Sequence, residues 1–307
     1  MIALLLLASI IVFSVLFVIP GDPAEIILGM NATPESLETL RTQLGLNDPF
    51  LARYFNWISG YVTGKSSLSI NYGVPVFDLL VKSLSVTLPL ALLAVAVSVV
   101  IAVPSGILAA RYKNTRKDIL IMAGTQLGLA TPEFWLGILL ILLLSVELGW
   151  FHAGGFPGWS SDPVGSLKAL IMPALALGVV RASVLTRVTR ASMLEVLEED
   201  YMRTARAKGL MENTVIYVHA FKNAVIPILT ILGLQLGQLL AGAIIIENVF
   251  YLPGVGRLLF QAIGQRDLPV VREAVLVMAG FVIIVHFIVD LVHAAIDPRI
   301  RLEKYGL

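Results

Sequence analysis

The sequence predicts an all-α integral membrane protein with six transmembrane helices, and three observations predict it. Hydrophobic residues make up 57% of the 307 and charged ones 14%, where a water-soluble chain carries about 25% charged residues. A mean hydropathy of +0.87 would oblige a soluble protein to expose apolar patches larger than solubility permits. The apolar residues also gather into six runs near the ~20 residues that a helix needs to cross the hydrocarbon core. None alternates in the short segments of a spanning β-strand.

The first run, Ile2 to Ile19, carries no charge. It lacks the small-residue cleavage pattern of a signal peptide, and Pro20-Gly21-Asp22-Pro23 follows at once, so it is expected to be retained as a helix. No basic stretch precedes Ile2, which leads us to expect further residues before this start. Residues 21–82 form an outer segment punctuated by Pro, Asn and Gly around a polar amphipathic stretch, Pro34 to Leu44, and are expected to fold as a small external cap. The second run, Ser83 to Ala110, has no charge in 28 residues. The third, Ile119 to Val146, contains Glu133; the fourth, Ser166 to Thr186, contains Arg181; the fifth, Asn223 to Ile246, has none; and the sixth, Ala274 to Ile296, contains Asp290. A core of five helices over 83–297 and a short tail, 298–307, complete the division.

Loop charges alternate. Arg111, Lys113, Arg116 and Lys117 oppose a single acid, Asp118, whereas the 21–82 and 147–166 segments carry an acidic excess. The positive-inside rule then places both termini in the cytoplasm. With Lys+Arg 22 against Asp+Glu 21, the chain has no electrostatic footprint for nucleic acid. The absence of cysteine excludes disulfides, thiolate metal sites and a cysteine nucleophile.

Ionisable residues at membrane depth are costly, so each is a candidate. Arg181 and Asp290 lie near the inner ends of their runs, where a charge is held at the interface. Glu133 lies mid-run. Thr131-Pro132-Glu133 spells a helix start (hydroxyl cap, proline, then an acid favourable to the macrodipole). On that reading the third run is broken, with its join lining a cavity because irregular backbone cannot face lipid. Pro132 and Glu133 are therefore candidates both for a structural helix start and for contact with a transported ligand. His286 and His293 share a face of the last run, but no further ligands suggest a metal site. No P-loop, H-E-x-x-H or G-x-S-x-G is present, so the chain is expected not to be an enzyme. The lone mid-membrane carboxylate is a thin basis for ion-driven transport.

The inner segment 187–222 is the most polar part of the core and reads as helical. Within it, Arg203, Thr204, Ala205, Arg206, Ala207 and Lys208 form a cationic helix with small residues on one face. Gly209 is placed to end that helix in the left-handed region that glycine adopts cheaply. Such a hairpin suits a groove on another protein, with Ala205 and Ala207 as its docking face; a solvated cytoplasmic loop is the alternative. In the fifth span, Gly233, Gly237, Ala241 and Gly242 offer a small-residue face for helix sliding.

Asp200 to Leu210, followed by His219-Ala220, Asn223-Ala224 and Pro227, resembles the coupling loop of ABC importer permeases of the dipeptide/oligopeptide/nickel family. Glu247 to Gly256, Arg266 to Pro269 and Asp297 to Arg301 resemble further blocks of that family. Pro20 to Ala24 and Leu44-Gly45-Leu46 resemble its first, B-type subunit. The chain departs from the pattern at Gly64-Lys65-Ser66-Ser67 and at His286 and His293. The resemblance implies a type I importer permease fold in a prokaryotic inner membrane. Its implied partners are a homologous second permease, two cytoplasmic ATPase subunits that carry ATP and magnesium, and an external binding protein. This chain itself would bind no cofactor or metal. Transport of peptides or a related small solute would proceed by alternating access, with residues 203–209 coupling to the ATPases. A stand-alone secondary transporter using Glu133 or Asp290 is the competing function.

Overall fold

The computed structural model describes residues 1–18, 23–29, 32–43, 45–63 and 67–296. Ile19 to Asp22, Leu44, Gly64 to Ser66, the Asp297 to Arg301 block, the tail and the His293 side chain lie outside the described residues. The described chain is helical and divides into two units, Met1–Val86 with Pro253–Ile283, and Thr87–Leu252 with Ile284–Leu307.

In the first unit, α1 (Ile2–Val18) carries no charge over 17 residues, at the lower limit for a membrane span. The cap follows as three short helices, α2 (Pro23–Leu28), α3 (Pro34–Gln43) and α4 (Phe50–Val62). Thr33 caps α3 by accepting from Ser36 N at 3.2 Å. Phe13, Tyr54 and Trp57 form a buried aromatic cluster, with Phe13 stacked on Trp57 at 5.5 Å. The Ser9 and Tyr54 hydroxyls meet at 2.8 Å, which satisfies both where water is absent. The same unit holds α12 (Val255–Gly264) and the start of α13 (Leu268–Ile296). Buried Asp267 caps α13 and also accepts from Ser69 Oγ (2.6 Å) and Asn71 N (3.1 Å), tying the turn before Val76 to this helix start.

The second unit is built on α5 (Val76–Arg111), α6 (Arg116–Ala130), α7 (Glu133–Leu140), α8 (Pro163–Leu197) and α11 (Phe221–Val249). Asp162 accepts from Gly165 N at 2.8 Å and Pro163 opens the helix, so the N-terminus of α8 is fully specified locally. α8 is the hub. It packs against α6, α7 and α11, and its Gly178 lies where a Cβ would come within 2.7 Å of the Ala94 carbonyl of α5. Backbones this close require glycine. Buried Glu247 accepts from the Thr87 hydroxyl at 2.5 Å.

Among the described residues, four helices are long and apolar enough to cross a membrane, and a fifth crossing follows if α6 and α7 make one bent span. With α1 at the limiting length, six crossings remain an expectation. The third run is not one straight helix. Its halves, Arg116–Ala130 and Glu133–Glu147, meet at 99°. The residue before a proline is driven out of the α region, and Thr131 (ψ 120°) accordingly ends α6. The expected helix start is displaced by one residue: Pro132 is the cap, and the Thr131 hydroxyl turns back to the Leu127 carbonyl at 2.8 Å.

The small residues of α11 face different neighbours. A Cβ on Gly233 would collide with Val289 of α13, and one on Gly242 with Glu133 and Leu177, while Ala241 is exposed.

Candidate functional site

Two sites emerge, one at the polar end of α8 and one at the break between α6 and α7.

At the first, α8 continues without interruption through Arg187 to Leu197, and α9 (Asp200–Ala207) follows after a two-residue turn. α9 ends as expected. Gly209 has φ +78° and donates to the Arg206 carbonyl at 2.9 Å. The polypeptide then turns into α10 (Glu212–Thr214) and widened helical turns at Val215–Ala220, which feed directly into α11. Arg203, Thr204, Arg206, Ala207, Lys208 and Gly209 are exposed.

Ala205 departs from its expected place. It is 8% exposed and packs with Met193, Met202, Val215, Ile216 and Ala224. In an eight-residue helix, positions 202 and 205 share a face, and that face is the one anchored to the protein's own core. Ala207 and the bases remain outward. Arg203 pairs with Asp200 at 3.4 Å, with side chains 77% and 95% exposed, a pairing of negligible strength.

Three contacts between the α5–α6 turn and the polar segment are not legible in the sequence, because each joins residues 72 or more positions apart. Arg190 grips Asp118 with two hydrogen bonds of 2.7 Å, and Asp118 also accepts from Asn114 N. Lys113 reaches Glu198 at 2.7 Å, and the hydrogen bond together with the ammonium charge holds the Glu198 carboxyl below its usual range. Arg111 donates to Asn213 at 3.0 Å. The α8–α9 junction is thereby fastened to the neighbouring turn.

At the second site, Glu133 and Arg181 form an ion pair at 2.6 Å, each side chain 17% exposed. Arg181, expected near the inner end of its run, thus has a specific partner that the sequence did not indicate. It reaches from α8 to the first residue of α7 and donates also to Gln238 Oε1 of α11 at 2.7 Å. Pro132 is exposed beside it. Asp290 is exposed on α13 and joins neither site. No cluster of His, Asp or Glu among the described residues is placed to hold a metal.

Comparison with known proteins agrees with this architecture. The model of the family "Binding-protein-dependent transport system inner membrane component" matches residues 102–302, and that of its N-terminal counterpart residues 1–91. A putative peptide transport system permease protein of Brucella abortus is 38% identical over 302 residues, covering 98% of this chain and 96% of that one. A dipeptide transport system permease protein of Alkalihalophilus pseudofirmus is 38% identical, covering 95% and 94%. The glutathione transport system permease protein of Escherichia coli K12 is 40% identical, covering 97% and 94%. Among solved structures, an inward-facing MetNI methionine ABC transporter chain superposes with a TM-score of 0.60 at 17% identity, covering 72% of this chain and 97% of that one. At that identity the likeness bears on the fold.

Proposed function

The chain belongs to the binding-protein-dependent transport system inner membrane components, and from that premise we propose that it is one of two permease subunits of an ATP-driven importer of peptides or peptide-like solutes. The relatives' names supply the substrate class: peptide, dipeptide and glutathione.

The observation that carries the mechanism is the outward basic face of α9. Its inner face, Met202 and Ala205, is fixed in the core, while Arg203, Arg206, Ala207, Lys208 and Gly209 stand free of it. A rigid cationic hairpin of this kind transmits a push. Two cytoplasmic ATPase subunits, which hold ATP and magnesium, close on nucleotide binding and displace α9. The fastened junction carries the movement into α8, and the two permeases alternate between outward and inward openings. An external binding protein delivers the cargo. Both termini and residues 187–222 lie on the cytoplasmic side, as the basic loops imply.

A carrier driven by protonation of Glu133 has less support, because Arg181 neutralises that carboxylate. The test is co-purification. Wild-type chain with its second permease should retain both ATPases, and Arg203→Glu/Arg206→Glu/Lys208→Glu should release them while the membrane part stays assembled. Retention of the ATPases and of transport by the triple variant would overturn the coupling role.

A further inference from the structure

We infer that Glu133 and Arg181 recognise the two charged ends of a zwitterionic ligand, a peptide with free termini, inside the membrane. This rests on the peptide-importer reading and gives it a recognition site on this chain.

A buried ion pair is often no more stable than apolar residues of similar volume, yet here two charges stand at membrane depth where each alone would be expensive. The pair's hydrogen-bonding capacities are not exhausted. Arg181 donates through Nη1 to Gln238 Oε1 and through Nη2 to Glu133 Oε1, whereas its Nε is buried and without an acceptor. Glu133 Oε2 is aimed at Gly242, where even a Cβ would collide with it. The carboxylate thus occupies space that only glycine leaves.

The surroundings say what lies beyond. Pro132, Gln238 and Ala241 are exposed beside the pair, and the backbone at Thr131 and Pro132 is extended. Irregular backbone at membrane depth must face protein or water, not lipid. The exposed edge formed by Pro132 and Gln238 is therefore the side from which a ligand would approach the pair.

A ligand carboxylate entering there accepts from the Arg181 guanidinium, and a ligand ammonium donates to the Glu133 carboxylate. The internal pair separates only when both charges are compensated together. A ligand with one blocked end would leave a bare charge, which the site disfavours. The exchange makes and breaks no covalent bond. It selects for free termini independently of side-chain sequence.

The experiment uses the complete importer in proteoliposomes, with trialanine and N-acetyl-trialanine amide as probes. Glu133→Gln/Arg181→Gln removes both charges without orphaning either. We expect its trialanine uptake to fall at least tenfold, with the complex still assembled by co-purification and melting temperature. Uptake within twofold of wild type would overturn the inference. The cysteine-free chain allows a second measurement that leaves the pair intact. In Ala241→Cys, thiol modification should slow at least threefold when trialanine is delivered and remain unchanged with the blocked probe. Equal rates in all three conditions would overturn the inference even if the double variant failed to assemble. Absence of trialanine uptake by the wild type would instead overturn the peptide-importer reading, and this inference with it.

Discussion

Gly209→Val should loosen the hairpin after α9 without disturbing the membrane helices, and its magnitude can be worked from the backbone. Gly209 sits at φ +78°, and a Cβ built there meets no atom within 4 Å. The penalty is thus conformational rather than steric. An L-residue in the left-handed region costs about 1–2 kcal/mol, and a β-branched one lies at the upper end because it is a true outlier there. That range corresponds to a factor of about 5–30 in the population of the ordered turn. Gly209→Asn should cost much less, since asparagine tolerates this region. The assay is hydrogen exchange at the Lys208 and Gly209 amides, which donate to Thr204 and Arg206. Valine should speed exchange by roughly the factor given above, asparagine much less, with the melting temperature of the membrane part unchanged. Equal exchange in the two variants would refute the argument from backbone conformation.

Ala205→Glu should destabilise the polar end of α8 by several kcal/mol, on the order of the cost of an unpaired buried charge, whereas Ala207→Glu should leave melting unchanged and weaken ATPase co-purification. Thermal unfolding alongside pull-down separates the two. Asp118→Asn alone should cost about 3 kcal/mol by leaving Arg190 without its counter-charge, and Asp118→Asn/Arg190→Met should recover most of it in a double-mutant cycle. Gly242→Ala should displace Glu133 and lower trialanine uptake at least fivefold with normal assembly; unaltered uptake would show that the Oε2 position is not critical.

The helices, the glycine stop and the polar segment were legible because each rests on local signals: unbroken apolar runs, a position that favours glycine, and a cluster of charged residues between two apolar runs. The break at Ala130-Thr131-Pro132 was legible too, though its cap was misplaced by one residue. Long-range pairing was not. Arg181 and Glu133 are separated by 48 positions, and Arg190 and Asp118 by 72. No local pattern announces either, since distance from a run's end says nothing about which neighbour a side chain such as that of Arg181 meets. Ala205 was misassigned for a related reason. Alanine suits both a docking face and a tight core, and only the packing of Met193, Met202 and Val215 around it decides. The one available clue was the spacing of Met202 and Ala205, which puts them on one side of a short helix.

The central claim is that this chain's transport is powered through α9 by separate ATPases. Its most direct test is trialanine uptake into proteoliposomes holding the full complex, with ATP inside and no proton gradient, compared with a proton gradient and no ATP. The account predicts uptake in the first condition only, abolished by Arg203→Glu/Arg206→Glu/Lys208→Glu. Uptake driven by the gradient alone, and unaffected by that variant, would contradict it.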